Sequence, residues 1–448
     1  MNFSPIKKKL MNWGQFPVRM GESYQFSSEC ELDKLWARLN NSFIARGMGR
    51  CYGDGSLASQ VISTLNYSHL LDLDEEQGIL VAESGISLNQ LLDTLIPRGW
   101  FLPVTPGTSY ITLGGAVAAD VHGKNHHCDG SFGNFITWFD LKIPSGEVLR
   151  CSPNQNSEIF YATIGGMGLT GLILSVALKL LKIETSWIDQ KIVSAHNLEE
   201  LMRLFEFEEQ SKYSVAWIDC LHPRNPGHGV LLSGRHAVAD ELRTFDLNAL
   251  EINLKTKLSI PFNLPDWFLS TWSVRIFNNG YSRTQKYKQG RQLVPLASYF
   301  YPLDIVRHWN RMYGSSGFIQ YQCVLPLKNS KDGLSEILQN IQKSGEGSFL
   351  AVLKKFGSSD SGGWLSFPME GYTLALDFPR RASTEKLLKK LDEVVWRCGG
   401  RLYLAKDSRG PKELFEQSYP KWSEFKFLRN KIDPNQTLRS DLAMRLGL

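Results

Sequence analysis

Apolar residues fall at 32, 35, 36 and 39 behind Ser28, a spacing of three and four that predicts a helix over 28–40, and Phe43 to Ala45 follow as a short apolar strand. Runs at 61–65, 69–73 and 79–84 read as strands. A second helix starts at Ser87, where Ser-Leu-Asn-Gln forms a capping box and Leu88, Leu91, Leu92 and Leu95 share one face; Gly99 stops it. After a long interruption come strands through 137–143 and beyond the Ser145-Gly146 turn, a helix at 156–163, and a strand from Leu172 to Leu180. Past residue 183, strands are expected at 213–219, 229–234, 297–301, 318–325, 348–353 and 372–378, with helices near 197–206, 303–313, 331–343 and 383–397. Strands interleaved with helices imply an α+β chain whose second half is a large mixed sheet covered by helices.

The interruption is residues 103–134, PVTPGTSYITLGGAVAADVHGKNHHCDGSFGN, which follow neither period. Gly107, Gly114, Gly115, Gly123, Gly130 and Gly133 let another object lie against the main chain, and so long a loop inside a domain is usually functional. Its apolar residues, Val104, Ile111, Leu113 and Ala116 to Ala119, have no use in a mobile surface loop, so something is being wrapped. Residues 45–56, ARGMGRCYGDGS, read as a strand running into a glycine loop whose amides, with Arg46 or Arg50, could meet a phosphate anion; a tight turn with solvated arginines is the competing reading. GMGLTG at 166–171 satisfies GxGxxG but follows a helix and precedes a strand, the reverse of a Rossmann site, which excludes a nicotinamide site there. Between 254 and 292 the pattern breaks down into aromatic, Pro-punctuated, basic sequence, either a partly disordered lid or a substrate-admitting flap touching a lipid surface.

A chain of 448 residues is expected to hold two domains. A net charge of +5 spread over that length argues against a nucleic-acid partner. Seven scattered cysteines without a CxxC pair argue against a disulfide framework and against a zinc site, and fit a reducing compartment; no metal is expected. The N-terminus lacks a signal-peptide core, and the most apolar run, Leu169 to Leu181, is shorter than a bilayer span.

The runs ARGMGRCYGDG, PGT, LGGAVAADVHGKNHH, GSFGN and GGMGLTG together resemble the flavin-binding signature of the vanillyl-alcohol-oxidase type, the PCMH-type FAD domain. FIQYQCVLP, LAVLKKFG, LALDFP and GGRLYLAKDSR sharpen the resemblance to the decaprenylphosphoryl-β-D-ribose 2-oxidases, over nearly the whole chain. The resemblance implies a two-lobed FAD-binding domain at 1–182, completed by 405–448, and a substrate domain at 183–404 with a large, mainly antiparallel sheet and a flexible stretch near 254–292. It implies a non-covalent FAD, since covalent relatives carry a histidine where Arg50 stands. Arg46, Gly47, Met48, Gly49, Arg50, Cys51, Tyr52, Gly53 and Asp54, with Gly107, Thr112, Leu113, Gly114 and Gly115, would line the pyrophosphate. Ala119, Asp120, Val121 and His122 would face the ring, and Ile173 and Tyr403 would complete the walls.

For chemistry, the resemblance places Tyr52, His122 and Lys406 as catalytic residues and Lys124, Gln320, Gln322 and Lys354 around the substrate. A hydride would pass from the ribose C2 carbon to flavin N5, giving a 2-keto sugar that a separate short-chain dehydrogenase/reductase returns as arabinose. Lysines suit a sugar phosphodiester, and glutamines and a tyrosine suit its hydroxyls. Lys406 would either stabilise charge on the reduced ring or relay the hydroxyl proton. A polyprenyl-phosphate substrate implies a cytoplasmic protein peripheral on the inner membrane, with Trp267, Phe268 and Trp272 among Lys255, Lys257, Arg275 and Arg283 as the contact. Two departures concern fine substrate fit and inhibitor response: Ala375 stands where some members carry a cysteine, and Thr373 where an amide is common. The alternatives are a soluble-sugar or aldonolactone oxidase of the same fold, whose HWxK-type run is YLAKDSR here, and a flavin-retaining scaffold without turnover.

Overall fold

The structure is a computed structural model, describing residues 4–39, 42–222, 227–243, 247–252, 258–265, 269–348 and 350–448. Its α+β architecture rests, among the described residues, on three sheets of four or more strands, beside two small two-stranded ones. The first has four strands in the order Ile6–Met11, Val18–Gln25, Gln60–Ser63 and Phe43–Arg46, with the last three parallel. The second is antiparallel, in the order Leu70–Asp74, Ile79–Glu83, Leu172–Lys179, Ile136–Lys142 and Val148–Cys151. On it packs the helix Leu88–Leu95, capped as expected by reciprocal bonds between Ser87 and Gln90, with its four leucines buried.

The third sheet has eight strands: Gly290–Pro295, Trp187–Ala195, Gly229–His236, Tyr213–Ile218, Ala351–Phe356, Gly371–Pro379, Phe318–Pro326 and Arg401–Leu402. Every pairing in it is antiparallel, so the mixed sheet read from the pattern is corrected and the mainly antiparallel one upheld. Side chains alternate across the sheet. Ile319, Tyr321 and Cys323, with Leu353, Leu374 and Leu376, bury one face beneath the helices Leu327–Ser344 and Ala382–Arg397. Gln320, Gln322, Val352, Lys354, Thr373 and Ala375 are left on the other face, where the cavity lies.

Some expectations fail for identifiable reasons. The run at 297–301 is a helix, Leu296–Phe300, because Leu296, Tyr299 and Phe300 are buried at helical spacing, which so short an aromatic run satisfies as readily as a strand. The helix near 303–313 is two 3-10 turns around a two-residue strand, broken where His308 turns left-handed at φ 56°. Inside 254–292 stands a 17-residue helix, Thr271–Tyr287. Its inward stripe, Val274 and Asn278, is buried, whereas Trp272, Arg275, Ile276 and Arg283 point outward. Lys255, Lys257, Trp267 and Phe268 lie outside the described residues.

Candidate active site

A single cavity of roughly 670 Å³ runs from the two glycine loops to the free face of the eight-stranded sheet. Arg46, Gly47, Met48, Gly49, Arg50, Cys51 and Tyr52 line one end. Gly107, Thr112, Gly114, Gly115, Ala119, Val121, His122, Ile173 and Tyr403 continue the wall, and Lys124, Gln320, Gln322, Lys354 and Lys406 stand at the sheet. The second glycine loop presses on the first, where a Cβ on Gly47 would lie 2.3 Å from Thr112 Oγ1, and on Ser84 at the end of the strand Ile79–Glu83, where one on Gly114 would lie 2.8 Å from its Cβ.

Four expected residues turn away. Gly53 packs on the Asp407 carbonyl, with no room for a Cβ. Asp54 accepts both arms of Arg445, at 2.8 and 3.0 Å. Leu113 is fully buried in the core. Asp120 is buried at φ 38° and gathers Ser131, Ser361, Ser366 and the Gly133 amide around its carboxylate, tying 131–134 to 361–366.

The donors differ from the expected set. The Arg46 guanidinium is spent on Asn12, the Ser56 carbonyl and the Met11 carbonyl, so it is not a free phosphate ligand, whereas Arg50 stacks 3.8 Å over the Trp13 ring on the cavity wall, a contact that leaves its in-plane N–H donors unspent among the described residues. At Thr112 the first-turn amides are also used: Leu113 N donates to Ile86, Gly114 N to Ser84, and Gly115 N to the Thr112 hydroxyl. By contrast, among the described residues the amides of 47–51 donate to no other protein group. Five unspent donors in one loop on the cavity wall form an anion nest, and Ser84 Oγ, buried and unpartnered, adds a polar contact further along. These features fit FAD, whose pyrophosphate needs donors and whose ring needs the apolar wall of Val121, Ile173 and Tyr403. Ser84, Thr64 and Met167 also line the cavity; of these only Met167 falls in a run the sequence marks, GGMGLTG.

At the sheet end the cations dominate. Lys124 donates to the Tyr299 carbonyl, and Lys354 makes no hydrogen bond or ion pair among the described residues. Enclosure lowers the Lys354 ammonium to about 8; enclosure and the nearby Lys354 lower Lys124 to about 7. Lys406 Nζ stands 3.7 Å over the Tyr52 ring. Enclosure drives its pKa down, and the Asp377 carboxylate draws it partly back. Asp377 is fully buried and takes a 2.6 Å bond from Gln320 Nε2, and enclosure raises its pKa. Enclosure first, and then Lys354, hold His122 well below the usual imidazole range. It is therefore neutral, and the Gln322 amide donates to its Nε2 at 3.1 Å, which places the ring proton on Nδ1.

The FAD binding domain family matches residues 25–152, and the D-arabinono-1,4-lactone oxidase family matches residues 363–446. A decaprenylphosphoryl-beta-D-ribose oxidase of Mycolicibacterium smegmatis is 34% identical over 458 aligned residues, covering 100% of this chain and 99% of its own. An uncharacterized Streptomyces coelicolor protein is 34% identical over 81% of this chain and 100% of its own. A putative D-arabinono-1,4-lactone oxidase of Neurospora crassa is 29% identical over only 36% of this chain and 27% of its own. With a glycine nest suited to a pyrophosphate, an enclosed cluster of lysines and this full-length likeness, the chain belongs to the decaprenylphosphoryl-β-D-ribose oxidase family of FAD-dependent oxidoreductases.

Proposed function

We propose that the protein oxidises the ribose 2-hydroxyl of a polyprenylphosphoryl-β-D-ribose to the 2-keto sugar and hands the product to a short-chain dehydrogenase/reductase. The observation that carries this reading is Lys354, a cation inside the cavity with no ion-pair or hydrogen-bond partner among the described residues, with Lys124 and Lys406 on the same wall. An unpaired ammonium away from bulk water is costly unless an anion completes it, and a neutral lactone would leave it bare. FAD, when bound, supplies the hydride acceptor. Lys354 and Lys124 hold the phosphodiester, and Gln320 and Gln322 orient the sugar. Lys406 offsets negative charge arising next to it. His122 carries its proton on Nδ1, and rotation of the Gln322 amide frees Nε2 to accept the hydroxyl proton. Anaerobic bleaching by a polyprenylphosphoryl ribose, but not by aldonolactones, is the expected result; bleaching by lactones alone would replace this reading with a lactone oxidase.

Lysine titration gives a signed expectation. Lys354 is cationic below its pKa of about 8 and neutral above it. With Lys124 losing its charge above about 7 and Lys354 above about 8, the substrate KM should stay low below about pH 7 and climb above it, by about tenfold per pH unit for each lysine neutralised. A KM that instead improves between pH 8 and 10 would remove Lys354 from phosphate binding. For the cofactor, acid precipitation should release all the yellow colour, because Arg50 cannot form a covalent flavin bond. Colour left in the pellet would contradict this.

Among the described residues no helix is long and apolar enough to cross a membrane. The outward stripe of Thr271–Tyr287 supports peripheral contact: Trp272 and Ile276 are 73% and 51% exposed beside exposed Arg275 and Arg283. Trp272→Ser/Ile276→Ser should cosediment with anionic liposomes several-fold less than wild type. Equal sedimentation would exclude this stripe.

A further inference from the structure

We infer that the end of the cavity beyond the lysines is a subsite for the first isoprene units of a lipid phosphate, roofed by the helix Thr271–Tyr287; this rests on the polyprenylphosphoryl reading above. The floor is one face of the eight-stranded sheet, and its chemistry changes from strand to strand. Gln322 pairs with Ala375, Ala375 with Val352, and Val352 with Trp217, so polar side chains give way to apolar ones along a single row. In a neighbouring row Val215 pairs with Leu232 and Leu232 with Ile192. All of these line the cavity.

The roof contributes two aromatic rings, with Gln285 and Lys288 also on the cavity wall. Tyr281 packs on Trp217 with ring centroids 4.9 Å apart and stacks with Phe277 at 6.0 Å, and both reach the cavity. Ile192, Trp217 and Val230, with Leu232 and Tyr281 against them, form a small cluster apart from the main cores. An amphipathic floor continuous with an ammonium that has no partner among the described residues matches an anionic head on a hydrocarbon tail. Three strand spacings separate Val352 from Ile192, about 14 Å, which accommodates the first few isoprene units and no more. The rest of a long tail must leave past Phe277 and Lys288, beside the outward face that carries Trp272 and Ile276.

The test is binding of dimethylallyl, geranyl, farnesyl and geranylgeranyl monophosphates to the holoprotein, by calorimetry. Affinity should rise on the order of tenfold per isoprene unit up to farnesyl and then level off. Leu232→Trp, which fills the channel, should bring the farnesyl-to-dimethylallyl ratio to within about threefold while dimethylallyl phosphate still binds. Tyr281→Ser, which opens the roof, should lower the same ratio and decides the matter if the tryptophan variant does not fold. Wild-type affinity independent of chain length, or a ratio unchanged in the folded variants, would overturn the subsite. Chain-length dependence in a protein whose flavin a lipid-linked ribose does not reduce would uphold the subsite and sink the sugar reading alone.

Discussion

Replacing Lys406 by methionine is expected to leave a folded, yellow protein whose flavin is reduced by substrate at least about a hundredfold more slowly, the scale of one lost electrostatic contact in an enclosed site. The position is fixed by its backbone. Lys406 N donates to the Tyr403 carbonyl at 2.9 Å, and Tyr52 N donates to the Ala405 carbonyl at 3.0 Å, so the turn that carries the lysine is stitched to the first glycine loop. The competing role, an ion pair with Asp407, is not the one the structure has: Asp407 is paired with Arg445 at 2.9 Å and caps the Arg409 and Gly410 amides. Methionine keeps an apolar side chain of similar length and removes the charge that sits over Tyr52. Because the ammonium is the working form, wild-type kcat should fall as pH rises through the lysine's pKa, whereas an amine acting as proton acceptor would make it rise. Flavin reduction within a few-fold of wild type would transfer the role to His122 or Lys124.

Gly53→Ala should be nearly as damaging by a different route. A Cβ there would sit 1.8 Å from the Asp407 carbonyl oxygen and 2.8 Å from Ser408 Cα, all backbone that cannot rotate aside. Asp407 is held by Arg445 and Tyr52 N by Ala405, so the two segments must separate together. Overpacking of this kind costs on the order of 3 kcal/mol, more than about a hundredfold in FAD retention if it falls on the bound state. The purified variant should carry little flavin, read as the ratio of 450 to 280 nm absorbance, and should melt lower. Full flavin content and an unchanged Tm would show that the contact is softer than the geometry implies.

What the sequence made legible was what local pattern encodes. Ser87 and Gln90 announce their own cap, Leu88 to Leu95 their own face, and the glycine runs their own loops, because each depends on neighbours within a turn or two. The sheet strands Trp187–Ala195 and Gly290–Pro295 escaped, since their stability comes from partners far along the chain. The site divides in the same way. That 45–52 and 107–115 form a cofactor loop could be read from their glycines, but which donors are free could not. Arg46 looks like a phosphate ligand until Asn12 and Met11 are seen to consume it. Asp377 looks like an ordinary strand residue in LALDFP, and only the fold sets it opposite Gln320 and near Lys406.

The bond between Arg445 and Asp54 joins residues 391 apart in the chain. At 5–20 residues per second, a ribosome needs roughly 20 to 80 seconds to make that span. For all of that interval the loop of five unspent amides exists without the segment that braces it, and for most of it Tyr52 lacks the carbonyl of Ala405. The loop that would hold the flavin is therefore fully braced only in nearly finished chains.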